Sequence, residues 1–410
     1  MEIKNKKGTV AIMIMLFFVT LVGLIFTFIE ASKQTAVKGA TTALGSLWAD
    51  SILGEYDLNL QQRYHLFGFY GMPADVVKKV DYFANQSFKT KTYIDYEGTT
   101  SSLYHYSLAN VDVFREQVIE VGKLVVAERI INREVNVETA HPKGERGVIN
   151  NEVILNGLPS KGSSSAISIS GIVDKLSGFK SIKEGIKTVG NRYLENRYLF
   201  SFFRNHLHDR DVGETFFQGE IEYVIGGKHS DDGNISSVKK KIIGLREAVN
   251  FAYLLKDPEK SGAALAAAEI LTPGPAAVVT HKGVLAAWAL AESNNDYKLL
   301  INGKRIPLLK TDQSWAIDLE SILNDQAGDY IDTGVDQGED YEDYLNLFIN
   351  MMDGQVKLLR MMDLIQINMK LLYYEGFSLD TYNGGVRFVM KVNGEEYEMD
   401  KSYEKGNLHR

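Results

Sequence analysis

The chain has 410 residues, 45% of them hydrophobic and 24% charged, with a formal net charge of −8 and no cysteine. That length accommodates two or three folded domains, the composition is that of an ordinary globular protein, and the negative balance disfavours a nucleic-acid partner, whose phosphates attract basic surfaces. Without cysteine there are no disulfides, thiolate metal sites or cysteine nucleophiles, so the folded part rests on core burial alone.

From Val10 to Ile29 no residue is charged, and fourteen of these twenty residues are Val, Ile, Leu or Phe. Twenty helical residues rise about 30 Å, the thickness of a bilayer's hydrocarbon core. Each such apolar residue near the helix centre favours insertion by roughly 0.3–0.6 kcal/mol. Lys4, Lys6 and Lys7 precede the run and Glu30 follows it. By the positive-inside bias, these flanks predict a single-pass protein of the cell membrane, with a cytoplasmic N-terminus and the chain from about residue 30 outside the cell. A cleaved secretory signal is the alternative. Against it, the run is longer than a normal h-region and no small-x-small site follows it.

The stretch Glu30 to Leu53 contains no proline, and Val37, Ala40, Leu44, Leu47, Trp48 and Ser51 recur at spacings of three and four. The helix is therefore expected to continue past the membrane as an amphipathic stem packed on a folded head. A half-apolar, half-packed helix of this kind is the layout of a pilin or pseudopilin.

Further motifs sharpen that reading. Lys7-Gly8-Thr9-Val10, Glu30-Ala31-Ser32, Glu55-Tyr56-Asp57 and Tyr64-His65-Leu66-Phe67-Gly68 lie in the first part of the chain. Asn156-Gly157-Leu158-Pro159-Ser160, Glu222 to Lys228, Leu245 to Tyr253 and Ala287 to Ser293 follow. Ile306 to Lys310, Tyr341 to Leu345 and Arg360 to Gln366 complete the set. On these segments, which run through most of the chain, the sequence resembles an uncharacterised clostridial family encoded in Tad (tight adherence, Flp-type) pilus loci, similar to TadE/TadG-type minor pseudopilins. The resemblance implies membership of a pilus or secretion apparatus and no particular activity. It also implies prepilin-type processing between Gly8 and Thr9. Here the sequence departs from the pattern of class III prepilins, because Met13 stands where they carry a glutamate. The departure favours an uncleaved anchor with Gly8 at the membrane edge, and a chain beginning at Thr9 is the alternative.

The fold class expected is α+β, mainly α: a transmembrane helix continuing into a long pilin-like stem, then a large, mostly helical extracellular head with small β-hairpin elements. In chain order the segments are 1–30 (cytoplasmic N-terminus and membrane anchor, Val10 to Ile29), 31–157 (stem and first part of the head), 158–190 (a Ser/Gly-rich flexible connection) and 191–410 (second part of the head). Within them, Asn59–Phe69, Ala74–Phe88 and Val113–Arg133 read as helices, and Leu103–Val113 has a strand-like pattern. The Ser- and Gly-rich stretch 157–171 reads as a linker. Glu220–Ile225 alternates apolar and polar residues, as a half-buried strand does. Ser236–Leu255 reads as a helix ending at Asp257-Pro258, where Asp257 caps and Pro258 opens the next helix, which runs to Leu271. Ala276–Ser293 is another helix. Residues 299–318 read as a β excursion turning at Asn302-Gly303. Tyr341–Tyr374 is a long helix with Gly354 a point of interruption, and the tail is a hairpin turning at Asn393-Gly394.

Sites of chemistry are sparse. His206 and His208, with Asp209 beside them, suggest a metal, but residues i and i+2 of a helix point apart. The acids Asp329, Asp332, Asp336, Glu339, Asp340, Glu342 and Asp343 lack EF-hand spacing and fit the N-terminal dipole of the following helix. Asp231-Asp232-Gly233-Asn234 fits a turn into a helix. No G-x-S-x-G, H-E-x-x-H, Walker A or G-x-G-x-x-G motif occurs. Gly226-Gly227-Lys228 lacks the spacing of a phosphate loop. The expectation is a non-enzymatic protein with no catalytic, cofactor or metal residues, and with no deep cleft holding more than two adjacent ionisable groups. Its partners are expected to be the lipid bilayer, other pilus or pseudopilin subunits and assembly proteins, with no nucleic acid and no small-molecule substrate. A membrane-anchored ectoenzyme or a wall- or glycan-binding surface protein is the alternative.

Overall fold

A computed structural model describes residues 4–132, 154–185, 190–207, 213–323 and 330–403, with only the backbone of 4–7 and 129–132. In chain order the elements are α1 (Lys4–Leu53), α2 (Leu58–Tyr64), β1 (Phe69–Tyr70), α3 (Pro73–Phe88), β2 (Tyr96–Ser101) and α4 (Val111–Asn132). Then come α5 (Ile169–Leu176), α6 (Ile182–Gly185), α7 (Asn191–Phe202), α8 (Glu220–Gly226), α9 (Asp231–Lys256), α10 (Pro258–Leu271) and α11 (Ala277–Ile301). The chain closes with α12 (Leu319–Leu323), α13 (Tyr341–Met351), α14 (Gly354–Leu372), β3 (Tyr382–Asn383), β4 (Gly385–Val392) and β5 (Glu395–Ser402). The class is α+β, mainly α, with one long apolar N-terminal helix and two small antiparallel sheets.

Two compact units interleave along the chain. The first comprises Met1–Asp57, Phe67–Asn110 and Asp380–Arg410, and the second Leu58–Leu66 and Val111–Leu379. The chain thus returns to the first unit after completing the second, which segments bounded in chain order at 157 and 190 do not contain.

In the first unit, α1 runs unbroken for 50 residues, about 75 Å at the helical rise. Its C-terminal half packs through Val37, Thr41, Trp48, Ala49 and Ile52 on the face of a three-stranded sheet ordered β2-β4-β5, and on α3. Ala40 and Leu44 lie half-buried on this face, while Leu47 is 60% exposed and Ser51 faces outward as well. The buried stripe is therefore displaced by one position from the expected one. The helix comes close to the sheet at Gly45, where an added Cβ would meet Met390 Cε at 2.6 Å. Phe388, Met390 and Val392 alternate inward along β4, and Trp48 meets Phe88 edge-on at 5.7 Å. The β4–β5 hairpin turns on Asn393 (φ 51°) and Gly394 (φ 78°), the left-handed pair a type I′ turn requires. The strand of this region lies at Tyr96–Ser101, ahead of the expected Leu103–Val113; residues 103–110 form turns.

The second unit is built around α14, buried on nearly every side. Asp363, Gln366 and Lys370 lie on one face and hold the segment before α5: Asp363 accepts from Ser160 N (2.9 Å), Gln366 donates to Gly157 O (2.8 Å) and Lys370 to Asn156 O (2.9 Å). The stretch expected as a flexible connection is pinned at this end, and it goes on to bury Ile172, Leu176 and Ile182 through α5 and α6. Helices α9, α10 and α11 share a small core of Leu254, Ala264, Leu285, Trp288 and Ala289.

Three local expectations give way. Glu220–Ile225 is the helix α8 rather than a strand, because both of its alternating carboxylates are buried and bonded inside the unit. Asn302-Gly303 ends α11, with Gly303 at φ 75°, instead of turning a hairpin; the following segment forms only an isolated bridge, Ile306 to Glu339. Helix α2 stops at Tyr64, so Phe69 falls in β1. The helix expected at 341–374 does break beside Gly354, the expected point of interruption: α13 ends at Met351, and Asp353 caps α14 by accepting from Gln355 N and Val356 N, both at 2.9 Å.

Candidate functional site

The N-terminal half of α1 is its own site. Every side chain from Gly8 to Ile29 is exposed, and the helix is long and apolar enough to cross a membrane. Its polar groups are satisfied internally: Thr20 donates to Phe17 O (2.8 Å) and Thr27 to Gly23 O (2.9 Å), as an apolar solvent demands. Gly8 and Gly23 have open space where a Cβ would stand. Thr9 and Val10 continue the helix from Gly8, and the side chains of Lys4, Lys6 and Lys7 lie outside the described ones. The first charged pair past the apolar run is Glu30 with Lys33, at 4.0 Å.

The second unit concentrates its charge inside. Arg246 of α9, Glu292 and Asp296 of α11, and Lys310 on the segment after it form a closed, neutral quartet. Arg246 Nε lies 2.8 Å from Asp296 Oδ2, and Lys310 Nζ lies 2.6 Å from both Asp296 Oδ1 and Glu292 Oε1. Arg246 also donates to Pro307 O and Leu308 O, while Glu292 accepts from the backbone of Ala316 and Ile317. Burial works to raise the Asp296 carboxyl, but the charges of Arg246 and Lys310 outweigh it and hold it below the usual range. Burial pushes Glu292 up against the pull of Lys310. With partners on all sides, the quartet ties α9, α11 and residues 306–318 together.

A second buried set surrounds α8 and α14. Glu220 accepts from Arg204 N (3.0 Å) and Asn368 Nδ2 (2.7 Å), and burial pushes its carboxyl up to about 7. Glu222 Oε1 meets His206 Nδ1 at 2.7 Å and accepts from the Tyr341 hydroxyl at 3.0 Å. Tyr223 donates to Asp363 at 2.8 Å. Lys357 pairs with Glu195 at 2.8 Å, yet burial brings its ammonium down to about 8. Gly227 takes the left-handed conformation that ends α8, and the Arg360 guanidinium caps the carbonyls of Val224 and Ile225, so Gly226-Gly227-Lys228 closes a helix where a strand end was expected.

The remaining candidates have local uses. His208, Asp209 and Asp329 lie outside the described residues, and His206 serves Glu222. Among the described residues no group of three or more His, Asp or Glu side chains is placed to hold a metal ion. Of the acidic run, Asp332 pairs with Lys304, Asp336 accepts from Arg305 N, Glu339 accepts from Ile182 N, and Asp340 with Asp343 forms the capping box of α13. Asp231 accepts from the backbone of Gln218 and Gly219 as α9 begins.

Among the clefts of the first unit, two carry polar groups. One of about 370 Å³ lies beside α1 and gathers Glu30, Lys33, Asp95 and Glu395, all four exposed, so it is an open groove and not a deep cleft. Its far wall was not visible in the sequence, where Asn393-Gly394 signalled only a turn. The other, about 550 Å³, has Tyr104, 81% exposed, at its rim with Ser102, Asn110 and Asp380.

No curated protein matches the chain, and no solved structure does. Residues 124–394, well over half of the chain, match a family of unknown function, DUF5702. Nearly all of the second unit, with its buried quartet and α14, falls within that span, as do β3 and β4. The chain therefore belongs to the family DUF5702.

Proposed function

We propose that this protein is a non-enzymatic, membrane-anchored, pseudopilin-like component of a Tad or type IV-like pilus or secretion apparatus, working by protein–protein assembly at the cell surface. The observation that carries the reading is the unbroken helix Lys4–Leu53, bare and apolar over one half and packed on a sheet over the other. A helix so divided can leave lipid for the interior of a filament without refolding, because its head is held by the other half. Exposed apolar side chains at the α10–α11 tip, Ile270, Leu271, Val278 and Val279, suit contact with a second protein. Mechanical shearing of cells tests the proposal: the protein is expected in the released filaments as well as in the membrane. Recovery in membranes alone, with piliation unchanged on deletion, overturns it.

A second reading, a wall- or glycan-binding surface protein, draws on the cleft rimmed by Tyr104. An exposed aromatic ring beside hydroxyl, amide and carboxylate groups suits a neutral sugar. Co-sedimentation of the full chain with purified cell wall, lost in Tyr104→Ala, is the outcome that favours it.

A further inference from the structure

Glu30, Lys33, Gln34 and Val37 stand at i, i+3, i+4 and i+7, one face of α1 just past the apolar run. Facing them are the loop at Thr92–Asp95 and the β4–β5 turn, and the space enclosed is the 370 Å³ cleft. The opposing wall is fixed in place. Asp95 N donates to Asn393 Oδ1 at 2.6 Å, Asn393 N donates to Asp95 O at 2.8 Å, and Asn393 Nδ2 reaches Tyr93 O at 3.1 Å. The Tyr397 hydroxyl donates to Glu395 at 3.1 Å and so orients that carboxylate.

From this geometry we infer that the cleft binds the headgroup of a membrane lipid that carries a primary ammonium on a phosphodiester, of the phosphoethanolamine type. The inference rests on the reading of α1 as a membrane span. The height comes from the helix alone: at about 1.5 Å per residue, Glu30 to Gln34 lie within roughly 8 Å of the end of the apolar run, the depth of a headgroup layer. The charge selects the ligand. Three carboxylates, Glu30, Asp95 and Glu395, against the single ammonium of Lys33, disfavour an anionic headgroup and suit a cation. The carboxylates do not converge as metal ligands do, so the cation is larger than a bare ion. A primary ammonium donates hydrogen bonds to carboxylates, which a trimethylammonium cannot, and Lys33, whose exposed pairing with Glu30 is a long 4.0 Å, can turn to the phosphate. Tyr93 and Tyr397 add the aromatic groups common at this depth.

Full-length protein reconstituted in mixed nanodiscs and then released into mild detergent tests the inference by native mass spectrometry of the retained lipid. Phosphatidylethanolamine should be retained about tenfold over phosphatidylcholine and phosphatidylglycerol, as charge-assisted hydrogen bonds would give. The exposed-site double variant Asp95→Asn with Glu395→Gln should lose that preference while melting like the parent chain. Equal retention of the three lipids, or a preference that survives the double variant, overturns the proposal. So does soluble glycerophosphoethanolamine binding as well as the lipid. Alkaline carbonate extraction of membranes reports separately on the span: release without detergent removes the membrane reading whatever the lipid preference.

Discussion

Arg246 Nε and Asp296 Oδ2 meet at 2.8 Å with both side chains wholly buried. Their charges are compensated only by each other and by the Glu292–Lys310 pair beside them. Asp296→Asn therefore leaves an excess positive charge in the core, and unfolding titrations should register a loss of about 3–5 kcal/mol. Arg246→Met combined with Asp296→Leu should cost less than the sum of the two single changes. Additive losses would mean the pair does not act as a unit.

Two helical glycines should respond in opposite directions. A Cβ on Gly122 would stand 2.5 Å from the carbonyl oxygen of Leu194, where α4 and α7 cross, whereas one on Gly244 meets nothing nearer than Ile169 Cγ1 at 4.0 Å. Gly122→Ala should destabilise by about 1–3 kcal/mol despite better helix propensity. Gly244→Ala should stabilise by about 0.5–1 kcal/mol. Thermal melts of the two variants check the contrast.

The raised carboxyls make stability fall with pH. Burial lifts Glu220, and likewise Glu339, from 4.5 to about 7, so between those values the folded state holds protons that the unfolded state has released. The stability is fully present below pH 4.5 and lost as pH rises through 7. For the fully buried Glu220 the change is roughly 3 kcal/mol. Glu220→Gln should flatten the slope of stability against pH across this window, leaving the part due to the other raised carboxyls, Glu339, Glu292 and Asp363. Denaturation at a series of pH values measures it.

Orientation can be read with a single thiol, since the chain has no cysteine of its own. Lys161 is exposed, and Lys161→Cys should react with a membrane-impermeant maleimide on intact cells if Lys4, Lys6 and Lys7 keep the N-terminus inside. Labelling only after lysis would reverse the topology.

N-terminal sequencing of the membrane-extracted protein should find an intact start at Met1 or Glu2, in keeping with Met13 where a prepilin glutamate would stand. A start at Thr9 would establish cleavage after Gly8.

Elements whose signals are local were legible from the chain. Asp257 caps α10 and Pro258 opens it as the residues suggest, because a cap and a fixed φ need no distant partner. Asn393-Gly394 turns β4 into β5 for the same reason. Asn302-Gly303 misled because a left-handed glycine ends a helix as readily as it turns a hairpin. Glu220 and Glu222 misled because alternation normally means a wet face, while these carboxylates are partnered inside the unit by Asn368 and His206. Strand β2 was unreadable: Gly98 to Ser101 are held by pairing with Phe388 to Lys391 at the far end of the sequence. The cleft beside Glu30 joins residues 30–37 and 92–95 to residues 393–397 at the far end of the sequence, so no spacing announced it.

That far-flung pairing dictates an order of events during synthesis. The packing face of α1 leaves the ribosome first, but β4 and β5, which cover it, are made last. At about 5–20 residues per second, Trp48 and Ile52 wait tens of seconds for their lid. A nascent chain of this kind emerges with a bare flank, so a truncated or stalled product should be prone to proteolysis and to a chaperone's grip, while the second unit, complete by Leu379, can already be folded.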